Sequence, residues 1–167
     1  MIIVSGLSQA QSQIERHGAR SVIGVLGPET PHPTYRGIDA NRHLRLTFND
    51  INEETEGMTA ATADDAVRLV AFIKEWDRQD PMLIHCWAGI SRSTASAFAA
   101  LCVLHPEIDE LELAKILRRA SPSATPNRLI TTRVDQLLGR QGRMLRAVES
   151  IGRGANAFES EPFVLEI

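Results

Sequence analysis

The spacing of apolar and polar positions makes the chain open as strand, helix, strand. Met1 to Val4 and Ser21 to Leu26 are apolar runs of strand length, and the polar helical stretch between them, from about Ser8 to His17, is closed by Gly18. Pro28, Pro31 and Pro33 hold an irregular loop, after which His43 to Phe48 alternates like a half-buried strand and Asn49-Asp50 begins a turn. From Thr59 to Trp76 the residues Ala66, Leu69, Val70, Ile73 and Trp76 recur at helical spacing, with Thr59 the expected N-cap. Met82-Leu83-Ile84 then reads as a central strand of a covered parallel sheet, ending at His85-Cys86. The segment from about Ser91 to His105 is apolar nearly all round, which places that helix in the core. Asp109 and Glu112 have capping-box spacing and start a helix that stops near Ser121-Pro122; Asn127 caps another, with Ile130, Val134, Leu137 and Leu138 on one face. Strands come first and helices later, the order of a mixed α/β layer structure.

A length of 167 residues suits one domain. The reading is a domain over residues 1–151 and a tail, 152–167, whose Phe158, Phe163, Val164, Leu165 and Ile167 give it enough apolar surface to dock. Hydrophobic residues at 43% and charged residues at 23% exclude disorder and coiled coil. With 18 basic and 21 acidic residues the net charge is −3, so neither nucleic acid nor an anionic membrane is the expected partner, and an anion must be caught by local geometry. Cys86 and Cys102 cannot make a disulfide framework, and no secretory leader pattern opens the chain, so a cytoplasmic location is expected. The longest apolar run, Ala95 to Leu104, is about half a membrane span.

The chemistry concentrates between Pro81 and Ser96, where a strand, a short loop and a helix start place a thiol, a glycine and an arginine in order. Backbone N–H groups of such a loop, with the positive end of the following helix, make an anion site, and the same field favours a thiolate. Cys86 is therefore the candidate nucleophile; Gly89 allows a tight backbone path, and Arg92 supplies a planar fork for two phosphoryl oxygens.

The string His85-Cys86-Trp87-Ala88-Gly89-Ile90-Ser91-Arg92-Ser93 resembles the signature loop of the cysteine-dependent protein tyrosine phosphatases: His-Cys, five residues with a glycine, Arg, then Ser or Thr. The likeness is greatest to the compact dual-specificity branch, in bacterial-type form. Asp50, 36 positions before Cys86 at a strand end, fits that branch's general acid, with Asp39, Asp64 and Asp65 as rivals and a turn-forming role as the alternative. Ala124-Thr125-Pro126-Asn127 and the helix after it match its closing region, so the resemblance covers most of Leu44 to Leu138.

The resemblance implies a phosphatase-type fold, with a mostly parallel central sheet of about four to five strands flanked by helices. It also implies hydrolysis of phosphotyrosine proteins through a phosphocysteine, with phosphoserine or phosphothreonine as further substrates and small phosphomonoesters as an alternative. Cys86 attacks, Asp50 is acid and then base, and Trp87, Ala88, Gly89, Ile90, Ser91 and Arg92 bind phosphate or another oxyanion. Ser93 stabilises the leaving thiolate, and His85 braces the loop and helps keep the thiol ionised. No metal or organic cofactor is implied. Trp87, Ala88 and Ile90 stand where phosphoinositide phosphatases carry basic residues, which disfavours a multiply charged lipid.

The rival functions are a non-catalytic phosphate-binding module and a thiol enzyme of the sulfurtransferase or arsenate-reductase kind. Cys102, well down the helix, reads as core rather than redox partner; the scattered histidines give no metal-ligand spacing; Arg118-Arg119 and Arg140, Arg143 and Arg146 read as solvated helix faces.

Overall fold

The computed structural model describes residues 1–166 of the chain, so Ile167 of the tail lies outside the described residues. Among them, β1 (Ile2–Gly6), β2 (Ser21–Leu26), β3 (His43–Thr47), β4 (Met82–Cys86) and β5 (Phe163–Leu165) form one sheet in the order β3-β2-β4-β1-β5. The first four strands are parallel, and β5 runs antiparallel on β1. The helices are α1 (Ala10–His17), α2 (Ala63–Glu75), α3 (Arg92–Leu104), α4 (Glu110–Ala120), α5 (Arg128–Leu138) and α6 (Arg143–Ile151).

Alternation along the strands divides the core. Ile2, Val4, Ile23, Val25, Leu46 and Ile84 join the large cluster with α2 to α6, while Ile3, Val22 and Leu83 point the other way, to Ala10 and Ile14 of α1 and to Tyr35. α3 is buried from Arg92 to Cys102, as its all-round apolar composition requires.

Several local expectations are corrected. α2 is capped by Thr62, not Thr59: the Asp65 N–H donates to Thr62 Oγ1 at 3.1 Å, and the Thr62 N–H donates back to the Asp65 carboxylate at 2.8 Å. Thr59 is taken up earlier, with its carbonyl accepting from the Asn49 N–H and its own N–H donating to Asn49 Oδ1, both at 2.8 Å. Asp109 caps α4 alone, through the Leu111 N–H at 2.9 Å, because Glu112 pairs with Lys115. Leu137 is 46% exposed; on α5 the buried Asp135 accepts the Gly142 and Met144 N–H groups and so turns the chain into α6. Arg140 is not on a solvated face, its side chain being 13% exposed, whereas Arg143 is solvated at 44%. Both converge on Glu110, whose side chain is 5% exposed. Burial pushes the Glu110 carboxyl up, but the two guanidinium groups outweigh it and hold the group below the usual range.

The segment after α6 is tied down along its length. Arg118 donates to the carbonyls of Ile151, Ala124 and Gly152. The Gly154 N–H reaches Thr125 Oγ1 at 3.1 Å and the Ala155 N–H the Pro122 carbonyl at 2.9 Å, so the chain lies along the 122–125 loop before crossing to β1 as β5.

Candidate active site

The parallel strands end on one edge, where Gly6 of β1 pairs in register with Cys86 of β4. Residues 87–91 link Cys86 to α3, and every carbonyl in that link is captured from outside it. Trp87 O accepts from the Leu7 N–H at 3.0 Å, Ala88 O from the Ser160 N–H at 2.9 Å, Gly89 O from the Ser160 hydroxyl at 3.0 Å, Ile90 O from the Thr125 N–H at 2.9 Å and Ser91 O from the Asn127 N–H at 3.2 Å. In a trans peptide the N–H of the next residue points opposite to the carbonyl, so outward carbonyls mean inward amides. The Gly89 N–H bears this out by donating to Cys86 Sγ at 3.2 Å. Gly89 sits at φ +74°, and a Cβ there would meet the Gly6 nitrogen at 2.8 Å, so only glycine fits.

Ser91 occupies the N-cap of α3 but makes no cap bond; its hydroxyl donates to Asp50 Oδ1 at 2.6 Å instead. The first-turn amides of α3 are thus left for an anion. The Ser93 hydroxyl lies 3.1 Å from Cys86 Sγ. Arg92 is 8% exposed; its Nη1 donates to the Phe48 carbonyl at 2.9 Å, and its buried Nε has no protein partner.

Asp50 lies on the same edge, just past β3. Its Oδ1 accepts from Ser91 and, at 2.9 Å, from Asn127 Nδ2, while Asn127 Oδ1 caps α5 through the Ile130 N–H. One asparagine therefore joins the α5 N-terminus to Asp50. The rival carboxylates lie elsewhere. Asp65 is spent on the α2 cap and Asp64 sits exposed beside it, while Asp39 precedes β3 and groups with Arg20, Arg42 and Asp80 at the amino edge of the sheet.

His85 is wholly buried. Its Nδ1 lies 3.3 Å from the Cys86 carbonyl, which can only accept, so Nδ1 carries the proton and Nε2 accepts from the Tyr35 hydroxyl at 2.8 Å. The partner residue Gly24 makes room, since a Cβ there would approach His85 Nε2 to 2.9 Å. Burial lowers the His85 pKa to about 4 against the bond to Cys86 O, so the ring is a neutral brace. Burial, with Arg45, His85 and His32 nearby, lowers His43 to about 4 as well, and Tyr35 packs between the two rings.

A histidine depressed in the folded state binds fewer protons folded than unfolded, so its contribution is full above pH 6.5 and lost as pH falls toward 4. The free energy of unfolding, measured with denaturant, should therefore fall steeply from pH 7 to 4.5, by on the order of 2–3 kcal/mol for His85 alone. His43→Gln should remove only the His43 share and leave a shallower curve; a wild-type stability independent of pH in that window would remove the assignment.

Cys102 is buried, and desolvation pushes its thiol up to about 12, so it is an inert core group. Among the described residues no group of His, Cys, Asp and Glu could hold a metal ion, and no helix is long and apolar enough to cross a membrane.

Beside the loop opens a cleft of about 930 Å³ whose walls include Asp50, Ser91, Arg128, Glu149, Arg153 and Phe158. Phe158, 82% exposed, meets Trp87, 46% exposed, edge to face at 5.5 Å. Asn127, Phe158, Ser160 and Tyr35 are parts of this site that the sequence did not single out for it. Asn127 was legible as a cap and as part of the 124–127 match but not as a partner of Asp50, and the other three sit in irregular segments with no motif.

No protein-family model and no curated protein matches the chain. Solved structures do. Similarity to DUSP15 spans 89% of this chain and 90% of that one, with TM-score 0.65 at 20% identity. Human DUSP28 gives 0.61 at 18%, over 90% and 95%. A mouse putative dual specificity phosphatase complexed with zinc tungstate gives 0.63 at 18%, over 88% and 86%. The chain has the dual-specificity phosphatase fold. At these identities the shared property is the fold, and the chemistry rests on the chain's own residues.

Proposed function

We propose that the protein is a phosphomonoester hydrolase acting through a phosphocysteine, with phosphotyrosine proteins as its substrates. The observation that carries this reading is the outward capture of the loop's carbonyls, from Trp87 to Ser91, which turns its amides inward around Cys86 Sγ. Cys86 sulfur attacks phosphorus, the bond to the leaving oxygen breaks, and Asp50 gives that oxygen its proton. Water then attacks phosphorus, Asp50 takes the proton, and the P–S bond breaks to restore the thiolate, which Ser93 receives. Inward amides and Arg92 hold the equatorial oxygens as charge spreads over them. The unpartnered Arg92 Nε supports this role, since a buried charged N–H otherwise costs about 1–3 kcal/mol. The Trp87–Phe158 pair supports an aryl substrate, because an aromatic contact is worth about 0.5–1.5 kcal/mol.

The fold alone does not separate a hydrolase from a binding module, because it is shared with a human tyrosine phosphatase-like serine/threonine/tyrosine-interacting protein. A residue-level test does. Wild type should hydrolyse phosphotyrosine peptides faster than phosphoserine peptides and leave thiosulfate untouched. Arg92→Lys should lower kcat/KM about 10²–10³-fold, a point charge being unable to replace the fork. A lysine variant with wild-type kcat/KM would take Arg92 out of the mechanism, and sulfur transfer without phosphate release would replace the reading by its rival.

A further inference from the structure

The loop's carbonyls are not held by one part of the chain. Trp87 O is held from the end of β1, and Ile90 O and Ser91 O from residues 125–127. Ala88 O and Gly89 O are held from the far C-terminus, both by Ser160. These carbonyls flank Gly89, the loop residue with no side chain to resist rotation of its peptides. Turning the Ala88 carbonyl inward would withdraw the Gly89 N–H from Cys86 Sγ, and turning the Gly89 carbonyl inward would withdraw the Ile90 N–H.

Ser160 is built into this place. It is 3% exposed, and its Oγ stands 2.5 Å from where a Gly89 Cβ would be, so the close approach depends on glycine at 89. Its segment is pinned on both sides, by Ala155 on the Pro122 carbonyl and by β5 on β1, and the neighbouring Glu159 accepts from the Ser8 hydroxyl.

We propose that Ser160 is a positioning residue of the phosphate loop, acting through the Ala88 and Gly89 carbonyls to aim the Gly89 and Ile90 amides at the bound oxyanion. The C-terminal segment is thereby part of the active site. The inference rests on the hydrolase reading above and adds to it a residue that touches neither substrate nor the reacting atoms.

Ser160→Ala removes the hydroxyl and leaves the backbone bond to Ala88 O, so the tail should stay docked. One oxyanion donor is worth about 10²–10³-fold, and partial loosening of one such amide should cost roughly tenfold. In the whole 167-residue chain kcat on an aryl phosphate should fall by that factor with KM within about twofold, and tungstate should bind about tenfold more weakly by calorimetry. Ser121→Ala, which also removes a buried hydroxyl, from a Ser121–Ser123 contact, should shift Tm comparably and leave kcat and tungstate affinity unchanged. Wild-type kcat and tungstate affinity in Ser160→Ala would overturn the proposal, as would a loss of kcat matched by the unfolded fraction. If wild type binds tungstate without turnover, the binding comparison still decides Ser160. A wild type that neither turns over nor binds tungstate would sink the hydrolase reading itself.

Discussion

Cys86→Ser should abolish turnover and leave oxyanion binding nearly intact. The serine hydroxyl is a much weaker nucleophile than a thiolate and, once phosphorylated, a worse leaving group, so both halves of the cycle fail; removal of a covalent nucleophile costs on the order of 10⁴–10⁶-fold. Binding depends on other atoms. The loop amides are aimed by bonds from Leu7, Ser160, Thr125 and Asn127, and Arg92 is anchored on Phe48; none of these touches the sulfur. Tungstate should therefore bind the variant within a few-fold of wild type. Turnover retained above about one per cent of wild type would refute the phosphocysteine, and loss of tungstate binding would show that the sulfur, not the amide ring, holds the anion.

Asp50→Asn should separate substrates by their leaving groups. General acid catalysis contributes about 10²–10⁴-fold where the departing oxygen needs a proton, and tyrosine leaves as a phenolate of pKa about 10. A nitrophenolate needs far less help. Phosphotyrosine peptide turnover should drop by that full factor and nitrophenyl phosphate turnover by much less. Asparagine keeps an Oδ1 able to accept from Ser91 and Asn127, so the change removes the proton and spares the geometry. Asp39→Asn and Asp64→Asn should not change the leaving-group dependence, and Asp65→Asn should cost stability through the α2 cap. Equal small losses on both substrates at Asp50 would withdraw the assignment.

Much of this architecture was legible in residue order. The run Met82-Leu83-Ile84 announced a central strand, and the all-round apolar Ala95–Leu104 segment a buried helix, because both patterns are set by burial on every side. β5 was not legible. Phe163-Val164-Leu165 is too short to show a period and becomes a strand only because β1 offers it an unpaired edge. α6 left a signal in Met144, Ala147, Val148 and Ile151 at helical spacing, which its arginines obscured.

The sequence by itself determined the order of thiol, glycine and arginine at a strand-to-helix junction, since local chain geometry places a strand end beside a helix start wherever they are joined by a short loop. It also determined that Asp50 follows a strand of the same sheet. Only the tertiary structure decided which groups face that junction. It set Asn127 against Asp50 across 77 positions, brought Ser160 onto Gly89 across 71, and closed Tyr35 over His85 across 50. Each of these contacts joins residues too far apart in the chain for local pattern to pair them, and each exists because parallel strands deliver their carboxyl ends to one edge, where buried polar groups must find partners or cost stability.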